Sequence, residues 1–147
     1  MNMIVVGVDH SAGAKAALRF ALDEAQLRQA TLRVVHAWQF GYIGAPGIEA
    51  SSTTFAAELD LRSGAEAALE ATLREAIPDT NGVALERRVV EGAAAAVLVD
   101  ESRGADLLVV GSRGLGGFRG LLLGSVGQQC AHHAACPVVI VPHPQDG

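Results

Sequence analysis

The residues in this chain with the clearest capacity for chemistry are glycines. Val110-Gly111-Ser112-Arg113-Gly114 leads through Leu115-Gly116-Gly117-Phe118-Arg119-Gly120 to Gly124-Ser125-Val126. Glycine lets the backbone approach a ligand closely and adopt positive φ. Where a helix follows, its first amides point their N–H groups and the positive dipole end outward, so such a stretch can cradle phosphate. Asp9 closes the apolar run Ile4-Val5-Val6-Gly7-Val8 and offers a carboxylate acceptor.

Other groupings hold reactive residue types in less useful patterns. Cys130, His132, His133 and Cys136 are metal-ligand types, and Cys130 and His133 share a helix face. Cys136, however, precedes Pro137 in extended chain, and no second ligand pair stands elsewhere. They read as buried thiols and surface histidines, with no metal. Asp9-His10-Ser11 contains triad types, yet neighbours at a strand end do not point at one another. No catalytic residue is assigned. His36 reads as a strand residue near the sheet end.

The elements that must position these groups alternate. The run 4–9 reads as a strand buried on both faces, with Asp9 at its carboxyl end. From 13 to 30, Ala14, Ala17, Leu18, Ala21, Leu22 and Ala25 follow a 3.6-residue period, with Ser11 as N-cap. Strand two spans 31–38. The pattern then lapses over 39–56, where Phe40, Tyr42 and Ile43 stand among glycines, Pro46 and a Ser/Thr run; a loop this long suggests a lid or contact surface. Helical spacing returns over 59–77 through Leu61, Ala65, Ala68, Leu69, Thr72, Leu73 and Ala76, and Pro78 stops it. Strand three spans 83–90. A short helix over 93–103 has Ala94, Val97 and Leu98 inside and Gly104 at its C-cap. Strand four, 107–110, precedes the glycine loop, helix four covers 124–135, and strand five, 137–142, is closed by prolines before a polar tail, 143–147.

Alternation of this kind implies an α/β fold: an open parallel sheet of five strands with helices on both faces. In such sheets ligands bind beyond the carboxyl ends of strands where the strand order reverses. If the order is 3-2-1-4-5, that point lies between strands one and four, which brings Asp9 beside the loop after Val110.

Composition sets the outer bounds. The 147 residues suit one domain, 1–147, with four Phe, one Trp and one Tyr, so the core is aliphatic and alanine-lined. A formal charge of −5 with eleven dispersed Lys and Arg argues against a nucleic-acid surface. The opening residues lack the pattern of a signal peptide and no apolar run approaches membrane-spanning length, so a cytoplasmic protein with no membrane partner is expected. Two cysteines do not make a disulfide framework, which agrees with a reducing compartment.

Spacing discriminates among phosphate loops. A P-loop needs G-x-x-x-x-G-K-[ST], and Gly120-Leu121-Leu122-Leu123-Gly124-Ser125 lacks both the spacing and the lysine. A dinucleotide fingerprint starting at Gly114 meets Arg119 where its third glycine belongs, and follows strand four instead of strand one. Gly111-x2-Gly114-x9-Gly124-Ser125 matches a third pattern, G-2x-G-9x-G-(S/T). By that loop the chain resembles the ATP-binding branch of the universal stress protein family. The resemblance extends over Val8-Asp9, Val35-His36-Ala37, the run 105–114, Leu123-Gly124-Ser125-Val126 and Cys136-Pro137-Val138-Val139-Ile140-Val141.

The resemblance implies a Rossmann-like sheet of the adenine nucleotide alpha hydrolase type, ordered 3-2-1-4-5, and a set of contacts. Asp9 would meet the ribose, the backbone of Ala37 the adenine edge, and Val110 and Gly111 the ribose and phosphates. Gly114, Gly124, Ser125 and Val126 would supply amides to phosphate, with Arg113 or Arg119 in reach of the terminal one. The implied ligand is ATP, with or without Mg2+, or AMP or cyclic AMP in the same site. Strand Val138–Val141 would pair with its copy in a homodimer. The expected function is nucleotide-dependent regulation in stress response, with at most slow ATP hydrolysis. A flavin or nicotinamide carrier on a similar sheet is the alternative, with Trp38, Phe40 and Tyr42 as its only ring platform.

Overall fold

A computed structural model describes residues 2–9, 11–39, 52–112 and 124–142. Among them the chain alternates strand and helix throughout: β1 Met3–Gly7, α1 Ala12–Arg28, β2 Thr31–Trp38, α2 Ser52–Ala76, β3 Leu85–Glu91, α3 Ala94–Glu101, β4 Leu107–Gly111, α4 Ser125–His133 and β5 Val138–Val141. The strands form one sheet in the order β3-β2-β1-β4-β5, and every pairing is parallel.

The strand sequences account for this order. β1 and β4 are unbroken apolar runs, as a central parallel strand must be when helices cover both faces, and Ile4, Val5, Val6 and residues 107–110 are buried. β3 carries Glu86, Arg87 and Arg88 exposed, as an edge strand tolerates. The two-residue period of a strand divides the core. Ile4, Val6, Leu32 and Val34 pack with Leu18, Leu22, Leu69 and Leu73 of α1 and α2. Val5, Val35, Leu108 and Val110 pack with Val97, Leu98 and Cys130 of α3 and α4.

α1 buries the alanine stripe, Ala14, Ala17, Ala21 and Ala25, flanked by Leu18 and Leu22. Ser11 caps it, its hydroxyl accepting from the Ala14 amide at 3.1 Å. It stops at Arg28, because Gln29 turns left-handed at φ 55° and Ala30 N–H bonds the Ala25 carbonyl. α2 begins at Ser52, seven residues before the apolar spacing resumes at Leu59. Ser and Thr are weak helix formers inside a helix but common at its start, so the run 51–54 reads as loop and helix entry alike. Leu61, with the spacing of an inner residue, is exposed, as is Leu59 at 51%; burial on the sheet begins at Leu69. In α3 the buried residues are Ala95, Val97 and Leu98, with Ala94 at the margin. Ser102 is its C-cap, and Gly104 takes the left-handed turn beyond it at φ +79°.

Polar bonds tie the layers. The Ser102 hydroxyl donates to the Val99 carbonyl at 2.6 Å and accepts from the Ala135 amide at 2.8 Å, joining the end of α3 to the α4–β5 connection. Asp106 accepts from the Met3 amide at 2.7 Å, so the start of β1 is fastened beside β4. On the β2–β3 surface Arg33 bonds Glu86 and Glu101, and Arg88 also bonds Glu101. Exposed pairs contribute about 0–1 kcal/mol each, against about 1.5–3 for one fully buried leucine, so the two apolar layers carry the stability.

Two tests follow from this packing. A Cβ on Gly7 would stand 2.5 Å from Leu98 Cδ1, and Leu98 is only 4% exposed and hemmed in. Gly7→Val is expected to lower unfolding free energy by about 1–3 kcal/mol in urea titration; a smaller loss would mean that α3 can lift from β1. Burial also pushes the Cys130 thiol up from its ordinary 9.0 to about 11. Between those pH values the unfolded chain loses the proton while the folded chain keeps it, so this contribution to stability is present below pH 9 and lost as pH rises toward about 11. The fall in stability over that window should be shallower in Cys130→Ala, measured by urea titration at successive pH values.

Candidate functional site

The chain leaves β1 toward β2 on one side and reaches β4 on the other, so strand order reverses between β1 and β4, and in open α/β sheets the crevice beyond the carboxyl ends at such a reversal is where ligands bind. The register pairs Val6 with Val109. β1 ends at Gly7, and Val8 and Asp9 run on from it to the same end of the sheet as Val110 and Gly111.

Asp9 is half-buried and held by its own turn. Its Oδ1 accepts from the Ser11 amide at 2.8 Å and from the Ser11 hydroxyl at 2.5 Å. The helix cap is therefore Ser11 itself, and Asp9 stands one bond behind it. A carboxylate placed this way is oriented before any ligand arrives, and hydroxyl groups are natural donors to it. An aspartate after a strand can also be expected to cap the helix that follows; here the cap is Ser11, and Asp9 instead bonds the amide two residues on, an Asx-turn.

The end of β2 supplies the second wall. Thr31 N–H bonds Asn2 in the β1 direction, Leu32 N–H bonds Ala84 in the β3 direction, and Trp38 O accepts from Gly92 on the β3 side. Odd-numbered residues of β2 thus direct amide and carbonyl toward β1, and Ala37 is one of them. His36 is 8% exposed, and its Nδ1 lies 3.0 Å from the Val8 carbonyl. A carbonyl only accepts, so Nδ1 carries the proton. No sequence signal separated this histidine from an ordinary strand residue; the contact appears only once Val8 and β2 are in register. Trp38 Nε1 is buried with no hydrogen-bond partner among the described residues. Phe40 and Tyr42 lie outside them.

The third wall is the start of α4. Ser112 N–H continues the β4–β5 ladder to Val141 O at 2.8 Å, and Ser112 O accepts from the Gly124 amide at 2.6 Å. The chain therefore leaves at Ser112 and returns beside it at Gly124. Gly124 caps α4 in extended conformation and, as glycine, brings no side chain of its own to the first amides. The helix start, Gly124, Ser125 and Val126, is consequently set next to the end of β4 with its positive dipole end toward the crevice. Ser125 Oγ is exposed and accepts from Gln129 at 3.2 Å.

Asp9, Ala37, Val110, Gly111, Gly124, Ser125 and Val126 are gathered at one end of the sheet. Arg113 and Gly114 lie outside the described residues, as do Arg119 and residues 40–51 of the 39–56 loop. Among the described residues no three His, Cys, Asp or Glu side chains group to hold a metal ion, and none of the helices is long and apolar enough to cross a membrane.

Comparison with known proteins adds the lineage. The model of the universal stress protein family matches residues 1–142. Universal stress protein Rv2623 of Mycobacterium tuberculosis is 40% identical over 138 residues, 93% of this chain but 44% of the relative, so the chain spans less than half the length of that protein. Among solved structures, a universal stress protein in complex with cAMP superposes with a TM-score of 0.66 at 30% identity, covering 95% of each chain. A universal stress protein family protein of Arabidopsis thaliana with AMP bound also gives 0.66, at 24% identity, covering 99% of this chain and 94% of its own. The order of the sheet, the match over residues 1–142 and the identity to curated relatives agree: the chain belongs to the universal stress protein family.

Proposed function

We propose that the chain binds an adenine nucleotide, ATP foremost, in the crevice between the ends of β1 and β4, and acts as a nucleotide-dependent regulator with little turnover. The observation that carries this reading is the start of α4. Its cap, Gly124, has no side chain to bond the first amides, and it is pinned by the Gly124–Ser112 bond to the end of β4, one strand away from the oriented carboxylate of Asp9. A glycine-capped helix N-terminus beside a ribose-type acceptor fits a phosphorylated nucleoside.

In this reading Asp9 accepts from ribose hydroxyls and the Ala37 backbone meets the adenine edge. Val110 and Gly111 line the ribose and phosphates. Gly114, Gly124, Ser125 and Val126 give amides to phosphate oxygens, Arg113 adds a cation, and Mg2+ can accompany the phosphates. Charge-assisted hydrogen bonds contribute about 1.5–3 kcal/mol each, so three or four support a micromolar complex of about −8 kcal/mol after association costs. The relative solved with cAMP favours a second reading, a cyclic or simple monophosphate in the same site, because adenine and ribose contacts do not need a γ-phosphate.

The regulator is proposed to be a homodimer through β5. Leu108 N–H bonds Pro137 O and Ser112 N–H bonds Val141 O, so odd-numbered residues of β5 face β4, and Val138 and Ile140 turn their amides and carbonyls to the outer edge. Such an edge favours pairing with a second strand.

Acid extraction of the purified protein, followed by identification of the released nucleotide, should yield an adenine nucleotide in the wild type and almost none in Gly124→Val. Equal occupancy in that variant would remove the loop from the site, and ATP turnover of about 1 per second or faster would make the protein an enzyme. Ile140→Pro removes an outward amide while sparing the inner ladder, so sedimentation at micromolar concentration should shift from dimer to folded monomer. A wild type that sediments as a monomer would rule out the dimer.

A further inference from the structure

We infer that His36 is a positioning residue for the adenosine half of the crevice, an inference that rests on the adenine-nucleotide reading. Val8 N–H already bonds Val35 O at 2.9 Å, so one more rung of the parallel ladder would join the Val8 carbonyl to the Ala37 amide. Among the described residues, the bond found on that carbonyl comes from the His36 ring, at 3.0 Å. The imidazole thus stands in for the ladder donor at the rung where β1 and β2 part.

Three consequences meet at this bond. The buried Val8 carbonyl is satisfied, which an unpaired group of this kind requires. The Ala37 amide, directed toward β1 by the alternation of β2, is kept for the edge of an adenine ring. Asp9 is the residue after Val8, so the ring also fixes the peptide from which that carboxylate projects, while Ser11 fixes its far end. A shift of Val8 would move the ribose acceptor and the adenine contact together. The phosphate contacts belong to β4 and α4, and would stay where they are.

This division gives the bond a signature that a packing role alone would not produce. Asparagine places an amide N–H near the position of Nδ1, whereas glutamine places it nearer Nε2; both keep a polar side chain of similar bulk. Isothermal titration with adenosine, AMP and ATP is run on the wild type, His36→Asn and His36→Gln, with circular dichroism and melting temperature recorded for each. His36→Asn is expected to bind all three ligands within about threefold of the wild type. His36→Gln should weaken all three by a common factor of roughly ten, since the loss lies in the shared adenosine half. Gly124→Val, in contrast, should weaken ATP and AMP and spare adenosine. Equal affinities for the Asn and Gln variants, or a loss confined to ATP, would overturn the positioning role while leaving nucleotide binding intact. A wild type that binds none of the three ligands would sink the nucleotide reading and this inference with it. Should His36→Gln melt below the working temperature, His36→Asn still decides, because a tenfold loss in a folded Asn variant contradicts the Nδ1 contact.

Discussion

Parallel pairing at β1 is the constraint from which the rest of the molecule follows. A parallel neighbour cannot be reached by a tight turn, so each departure from a strand must cross a face of the sheet as a helix and return at the opposite end. With β2 on one flank and β4 on the other, the two crossovers adjoining β1 lie on opposite faces. Neither covers the carboxyl ends of β1 and β4. The crevice is thus a product of chain topology, and the polar residues around it are those that happen to end strands and begin helices. Close packing fixes the arrangement: Leu98 of α3 lies so near β1 that any Cβ at position 7 would have to displace it, and α1 approaches through alanines.

Within that frame, the polar groups at the crevice are each held by a neighbour from their own turn or the adjoining strand. Ser11 orients Asp9, His36 holds the carbonyl before Asp9, and Ser112 binds the amide that opens α4. Preorganisation of this sort lowers the ordering cost of association, which otherwise consumes much of what a few hydrogen bonds contribute. A strand end that offers only its backbone also tolerates an unremarkable residue such as alanine at position 37, since what the register sets there is the direction of the peptide.

Much of this was legible in the amino-acid order, and the parts that were not have physical causes. The alanine stripe of α1 and its serine cap could be read because a 3.6-residue period and a cap side chain are local properties. The strand order followed from alternation of elements and the resemblance carried by the glycine spacing. The start of α2 was hidden because serine and threonine serve equally in loops and at helix entries. Leu61 misled because periodicity marks a face of a helix without saying whether a sheet lies beneath it. The directions of the Ala37 backbone and of the Ile140 amide depend on whether a residue number is odd or even in a register, which residue type does not encode. His36 belongs to the same class: its partner is a carbonyl on another strand.

The bond between Ser112 and Gly124 has an evolutionary meaning. It closes the excursion 113–123 at its base, so the helix start is held by strand β4 and not by the intervening chain. For a loop whose ends are fixed, doubling its length adds only about 0.6 kcal/mol of closure entropy. Residues within the excursion can then be inserted, removed or exchanged with little effect on where the amides of α4 stand. The position of the helix start is thus set by two residues that meet at the base of the stretch, and chain length between them costs little.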